Sequence, residues 1–166
     1  FNLLNMYAAL GLCVLITVGV FVLSQRYNSQ TISVFALIGG YLPLLSINGS
    51  KILVYGAMVY FVILNIFALV ISGNKKWTIT AFVGFTLNVA GTAYIMNLML
   101  GKRLYSAPFS IDDFLTIIYV VFVFMIYTLI PIVGTYSRKL RFKNSDVVLL
   151  SLNTVISAVL LYVTFY

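Results

Sequence analysis

The chain has 166 residues, 63% of them hydrophobic and 16% aromatic, and its ten Lys and Arg against three Asp give a net charge of +7. A soluble domain carries about 25% charged residues, and the 8% found here cannot cover a globule of this size. The composition excludes a soluble fold and predicts an integral membrane protein.

The basic excess does not point to nucleic acid. Its residues fall in short gaps between apolar runs, with no basic face apart from them. That placement reads as membrane-flanking charge held near anionic headgroups. The partner expected is the lipid bilayer, with other helices of a parent chain or membrane complex; no nucleic acid is expected. The sequence starts at Phe1 and ends inside an apolar run at Tyr166, which reads as one domain, residues 1–166, cut from a larger membrane protein. The first apolar run lacks a basic leader and is too long for a signal-peptide core.

Crossing a hydrocarbon core of about 30 Å takes roughly 20 helical residues. Six stretches meet or approach this: Leu3–Leu23, Thr31–Ile47, Ile52–Ser72, Trp77–Leu100, Phe114–Tyr136 and Val147–Tyr166. Every Lys, Arg and Asp lies outside them. The expected fold is all-α, a polytopic transmembrane bundle of about six helices.

After the first helix, "QRYNSQ" (25–30) reads as a turn, as do "INGSK" (47–51) and "SGNKK" (72–76). The second stretch is short and holds Gly39, Gly40 and Pro43. Pro43 removes an amide and crowds the carbonyl of Gly39, and the glycines absorb the distortion. This predicts either a kinked span or a re-entrant dip. With six spans, seven basic residues fall on one side (Arg26, Lys75, Lys76, Arg138, Lys139, Arg141, Lys143) and three on the other (Lys51, Lys102, Arg103). A dip would give six against four. The stronger bias favours a kinked span, residues 25–30, 73–76 and 137–146 in the cytoplasm and both chain ends outside.

The fourth stretch, "AFVGFTLNVAGTAY" (81–94), sets Gly84, Asn88 and Gly91 on one face, where another helix can approach closely. Asn65 and Asn88 fall at matching depths on consecutive helices and are expected to bond to one another. Asn153 is a third mid-helix amide. Ser110 before Asp112 and Asp113 reads as the cap of the fifth helix, and Asn144 or Ser145 before Asp146 as that of the sixth. The fifth helix holds Pro131 and Gly134. Pro131 frees the carbonyl of Tyr127, which should face a polar cavity or be capped by a neighbour such as Thr128. Kinked second and fifth helices at matching places in two halves would suit a transporter site between them.

Chemistry-bearing residues are scarce. No acid, base or His stands at membrane depth to mark a proton or ion path. With no His and a lone cysteine, Cys13, there is no ligand set for zinc or haem. "GNKKWT" (73–78) lacks the phosphate-loop spacing. No catalytic residue, metal or cofactor is expected, and the bundle reads as non-enzymatic.

One resemblance stands beside this reading. In "LSQRYNSQTISVFALIGGYLPLLS" (23–46) an Arg-Tyr-x-Ser turn leads to Gly-Gly-aromatic-Leu and a proline. Tyr55, Leu64–Asn65, a basic pair and Trp77 follow, and "SDVVLLSLNTVISAVLLY" (145–162) repeats the Leu-Asn pair. Together these resemble domain-of-unknown-function family 2339, bacterial predicted membrane proteins of many helices. Family members usually carry Thr between the Leu and the Pro, whereas Leu42 here precedes Pro43 directly. The resemblance implies a bacterial inner-membrane location and a longer parent protein, and it implies no activity.

Overall fold

The computed structural model describes residues 6–42, 51–75, 77–100, 110–138 and 142–165. It contains six helices: α1 (Met6–Arg26), α2 (Gln30–Tyr41), α3 (Lys51–Lys75), α4 (Thr78–Leu100), α5 (Ile111–Arg138) and α6 (Asn144–Phe165). No strand is present among the described residues. Four of the helices are long and apolar enough to cross a bilayer: Ile52–Ser72, Thr78–Met99, Ile111–Tyr136 and Asn144–Thr164. Gly11–Arg26 and Gln30–Tyr41 are shorter apolar helices. The twelve residues of α2 rise about 18 Å. Pro43 and the rest of the stretch to Ile47 lie outside the described residues, and so does the kink expected there.

The α1–α2 turn is built by its own sequence. Asn28 takes the left-handed conformation, φ 51°, which Asn tolerates better than most residues. The Ser29 amide then bonds back to the Ser24 carbonyl at 3.1 Å and the Asn28 amide to the Gln25 carbonyl at 3.3 Å. This is a Schellman closure, which satisfies carbonyls that the helix end leaves over. Ser29 also begins α2, its hydroxyl accepting from the Ile32 amide at 3.5 Å.

At α5 the expected cap is present. The Ser110 amide and hydroxyl donate to one Asp113 oxygen at 2.7 and 2.9 Å, and the Asp113 amide returns a bond to the Ser110 hydroxyl at 3.3 Å. At α6 the expected cap is replaced. Asn144 is already the first helical residue, and Asp146 reaches back to accept from the Lys143 amide at 2.9 Å. The acid serves the amide that precedes the helix, the return half of a capping box, where Asn144 or Ser145 was expected to serve an amide inside it.

Consecutive helices pair as hairpins, α1 with α2, α3 with α4 and α5 with α6, and α3 against α5 is the most extensive contact. Tyr55, near the start of α3, donates to Asp112 at the start of α5. The side-chain amide of Gln30, at the start of α2, lies 3.1 and 3.3 Å from the Ile79 and Thr80 amides of α4, and with the amide turned so that its oxygen faces them it accepts from both. These amides are orphan donors of a helix N-terminus. One end of the bundle therefore gathers the ends of α1, α3 and α5 and the starts of α2, α4 and α6, with Arg26, Lys75, Arg138 and Lys143 among the described residues.

Candidate functional site

The core carries a polar knot centred on Asn65. Its amide oxygen accepts from the hydroxyls of Tyr41 at 2.7 Å and Tyr127 at 2.8 Å, and its amide nitrogen donates to the Asn88 oxygen at 2.7 Å. Four helices, α2, α3, α4 and α5, thus share one buried residue, and all four side chains are at most 4% exposed. Spacing alone pairs Asn65 with Asn88; the two tyrosine hydroxyls were missed. The sequence points to Tyr127 only through its backbone carbonyl, four residues before Pro131. A signal existed, because a Tyr at the depth of an Asn brings a donor that must be satisfied in lipid.

The packing around the knot depends on small residues. A Cβ on Gly84 would meet the Tyr127 hydroxyl at 3.3 Å, Leu37 at 3.4 Å and Ala68 at 3.5 Å. These four residues form one layer of α4, α5, α2 and α3. On the same face of α4, Gly91 receives the ring of Phe61, which is stacked on Tyr41 with centroids 4.9 Å apart. Gly40 faces α1 and α3, where an added Cβ would lie 3.1 Å from both Thr17 and Leu64, while Gly39 is exposed and an added Cβ there would meet nothing within 4 Å. The Gly40 carbonyl accepts from the Tyr60 hydroxyl at 3.0 Å.

Asn153 ties α6 to α5. Its amide donates to the Phe124 carbonyl at 3.0 Å and to the Thr128 hydroxyl at 3.2 Å. Thr128 gives its own proton to the Phe124 carbonyl at 2.8 Å. The hydroxyl named as a cap for Tyr127's carbonyl is thus committed three residues earlier, to Phe124, because a helical Thr reaches its i−4 carbonyl.

Pro131 and Gly134 are buried and line a cleft of about 20 Å³ with Ser72, Trp77, Ser145 and Asp146. A smaller one of about 10 Å³ lies between Asn88, Thr92 and Asn153. These clefts are walled by α3, α4, α5 and α6, and neither is lined by α2. Among the described residues no three His, Cys, Asp or Glu side chains come together.

Apolar helices of spanning length around a hydrogen-bonded core define a polytopic helical membrane protein. The chain belongs to family DUF2339, described as a predicted membrane protein, whose model matches residues 1–165. Comparisons with curated proteins and with solved structures gave no match.

Proposed function

We propose that this chain is a non-enzymatic, membrane-embedded bundle serving a larger transport or envelope-assembly protein of the bacterial inner membrane. The observation that carries the reading is the closed knot. The mid-depth polar groups Tyr41, Asn65, Asn88 and Tyr127 spend their hydrogen bonds on one another, as glue does and as a solute site would not. The surface left over supports it as well. Only 17% of α6's apolar window is buried, against 44–50% for the other three long helices, so α6 offers the most face to neighbouring helices. A photo-crosslinking residue at Val155, exposed on α6, should capture protein in native membranes. Capture of lipid alone, there and at Val159, would reject the reading.

The seven-to-three charge split supports a cytoplasmic placement of the end that holds Arg26 and Lys143 and an outward N-terminus. A second reading, a transporter core for an uncharged or lipidic solute, has one observation in its favour: Pro131 and Gly134 line a cleft. Between α2 and α5 at the depth of Asn65, however, the Tyr41–Asn65–Tyr127 bonds fill the space where such a site was expected.

A further inference from the structure

The layer next to the knot lacks partners for its polar groups. One turn from Leu37, Ala68, Gly84 and Tyr127, toward the end bearing Arg26 and Lys143, the four helices present Ser33, Ser72, Thr80 and Pro131. The arithmetic is four residues in each case, backwards along α2 and α4 and forwards along α3 and α5. Ser33 and Thr80 are 0% exposed and Ser72 is 4% exposed, and none of the three hydroxyls has a hydrogen-bond partner. Pro131 has no N–H, so the Tyr127 carbonyl below it loses its helical donor. Three unpaired hydroxyls and a carbonyl without its helical donor thus come from four helices, whereas buried polar atoms in folded proteins are nearly always paired.

Ser72 and Pro131 line the cleft of about 20 Å³ together with Trp77, Thr78, Ser145 and Asp146 at the starts of α4 and α6. A water needs roughly 10–15 Å³ of such space and two to four polar partners. From this layer and cleft we infer that the bundle holds an internal water site, entered between α4 and α6 and closed at its inner end by the Asn65 knot. The ligand is water, held in the cleft by the Ser72 hydroxyl and, beside Pro131, by the Tyr127 carbonyl; Thr80 and Ser33 do not line the cleft. The space is too small for a lipid headgroup, and the cleft's one acid, Asp146, is held by the Lys143 amide.

Two measurements on the full chain decide it. If water fills the cleft, Ser72→Ala lowers the unfolding midpoint in detergent, because the water loses a partner. Pro131→Ala returns an amide to the Tyr127 carbonyl, and it should change the effect of Ser72→Ala when the two are combined. A dry cleft gives the opposite sign, since removing an unpaired buried hydroxyl leaves the midpoint unchanged or raises it; that result overturns the inference. Independently, with Cys13→Ala as background, Ser72→Cys should react with a small water-soluble methanethiosulfonate, and Ala68→Cys, one turn deeper, should not. Equal protection of both positions would also overturn it.

Discussion

Gly91→Ala is the sharpest probe of the packing. The added Cβ would lie 2.5 Å from Cζ of Phe61, 2.9 Å from Cε2 and 3.1 Å from Cε1. The Phe61 ring cannot retreat easily, because it is 1% exposed and stacked on Tyr41, whose hydroxyl is bound to Asn65. Overpacking a filled core costs about 1–3 kcal/mol, and three ring atoms in conflict place this substitution at about 2–3 kcal/mol. Gly39→Ala is the matched control. It makes the same chemical change in a helix, with nothing within 4 Å of the new Cβ, and the helical preference for Ala favours it by up to about 1 kcal/mol. Reversible unfolding in mixed micelles, followed by circular dichroism, should separate the two variants by about 2–3 kcal/mol, since the helical gain of Ala is common to both and only the overpacking differs. Phe61→Leu, which withdraws the ring, should recover part of the loss in Gly91→Ala and thus show strong coupling. Equal midpoints for Gly91→Ala and Gly39→Ala would refute the close approach of α3 and α4.

Other expectations follow from the same contacts. Asn65→Leu strands two tyrosine hydroxyls and the Asn88 oxygen, and should cost about 2–3 kcal/mol, whereas Asn88→Leu strands one amide and should cost about 1 kcal/mol. Unfolding of both and of the double variant measures this, and strict additivity would exclude the contact. Asn153→Leu should leave α1–α5 intact while making α6 the first helix cut in limited proteolysis; unchanged digestion would mean that the bonds to Phe124 and Thr128 do not hold it. Ser110→Ala should cost about 1 kcal/mol through the lost cap of α5, read from the same unfolding curves. For threading, Lys143→Cys in a Cys13→Ala background should resist a membrane-impermeant reagent in intact cells while Ile111→Cys reacts. The reverse pattern would invert the proposed orientation.

Helix number and type were legible because lipid leaves a simple rule: charged residues stay out of runs of about twenty. Gaps were legible where the turn chemistry is local, as with Asn28 and Ser29. The start of α6 was misread because Asp146, as the third helical residue, can reach back to Lys143, and the competition between Asn144, Ser145 and Asp146 is settled by backbone geometry. The Asn65–Asn88 pair was readable because two mid-depth amides on consecutive antiparallel helices fall opposite one another by counting. Tyr41 and Tyr127 were not readable in that way. Their hydroxyls meet Asn65 only after α2 and α5 pack on either side of α3, at sequence separations of 24 and 62, and counting from a shared turn fixes neither register.

The same reasoning explains why one amide organises so much of the fold. Lipid tails are as apolar as the helices, so no hydrophobic force draws helix to helix, and close packing and interhelical bonds must do so. Each hairpin can pair through its own turn, but nothing local joins α2 to α5. Asn65 does so, because its oxygen accepts two hydroxyls and its nitrogen serves a third helix. An apolar residue there would permit several rotations of α3, whereas Asn satisfies all three partners in a single one. The small residues Gly84 and Gly91 then let α4 close upon that arrangement. Each bond alone is worth only about 0.6 kcal/mol on average. What selects the packing is the cost of every alternative, in which two tyrosines and two asparagines would be left unpaired in hydrocarbon.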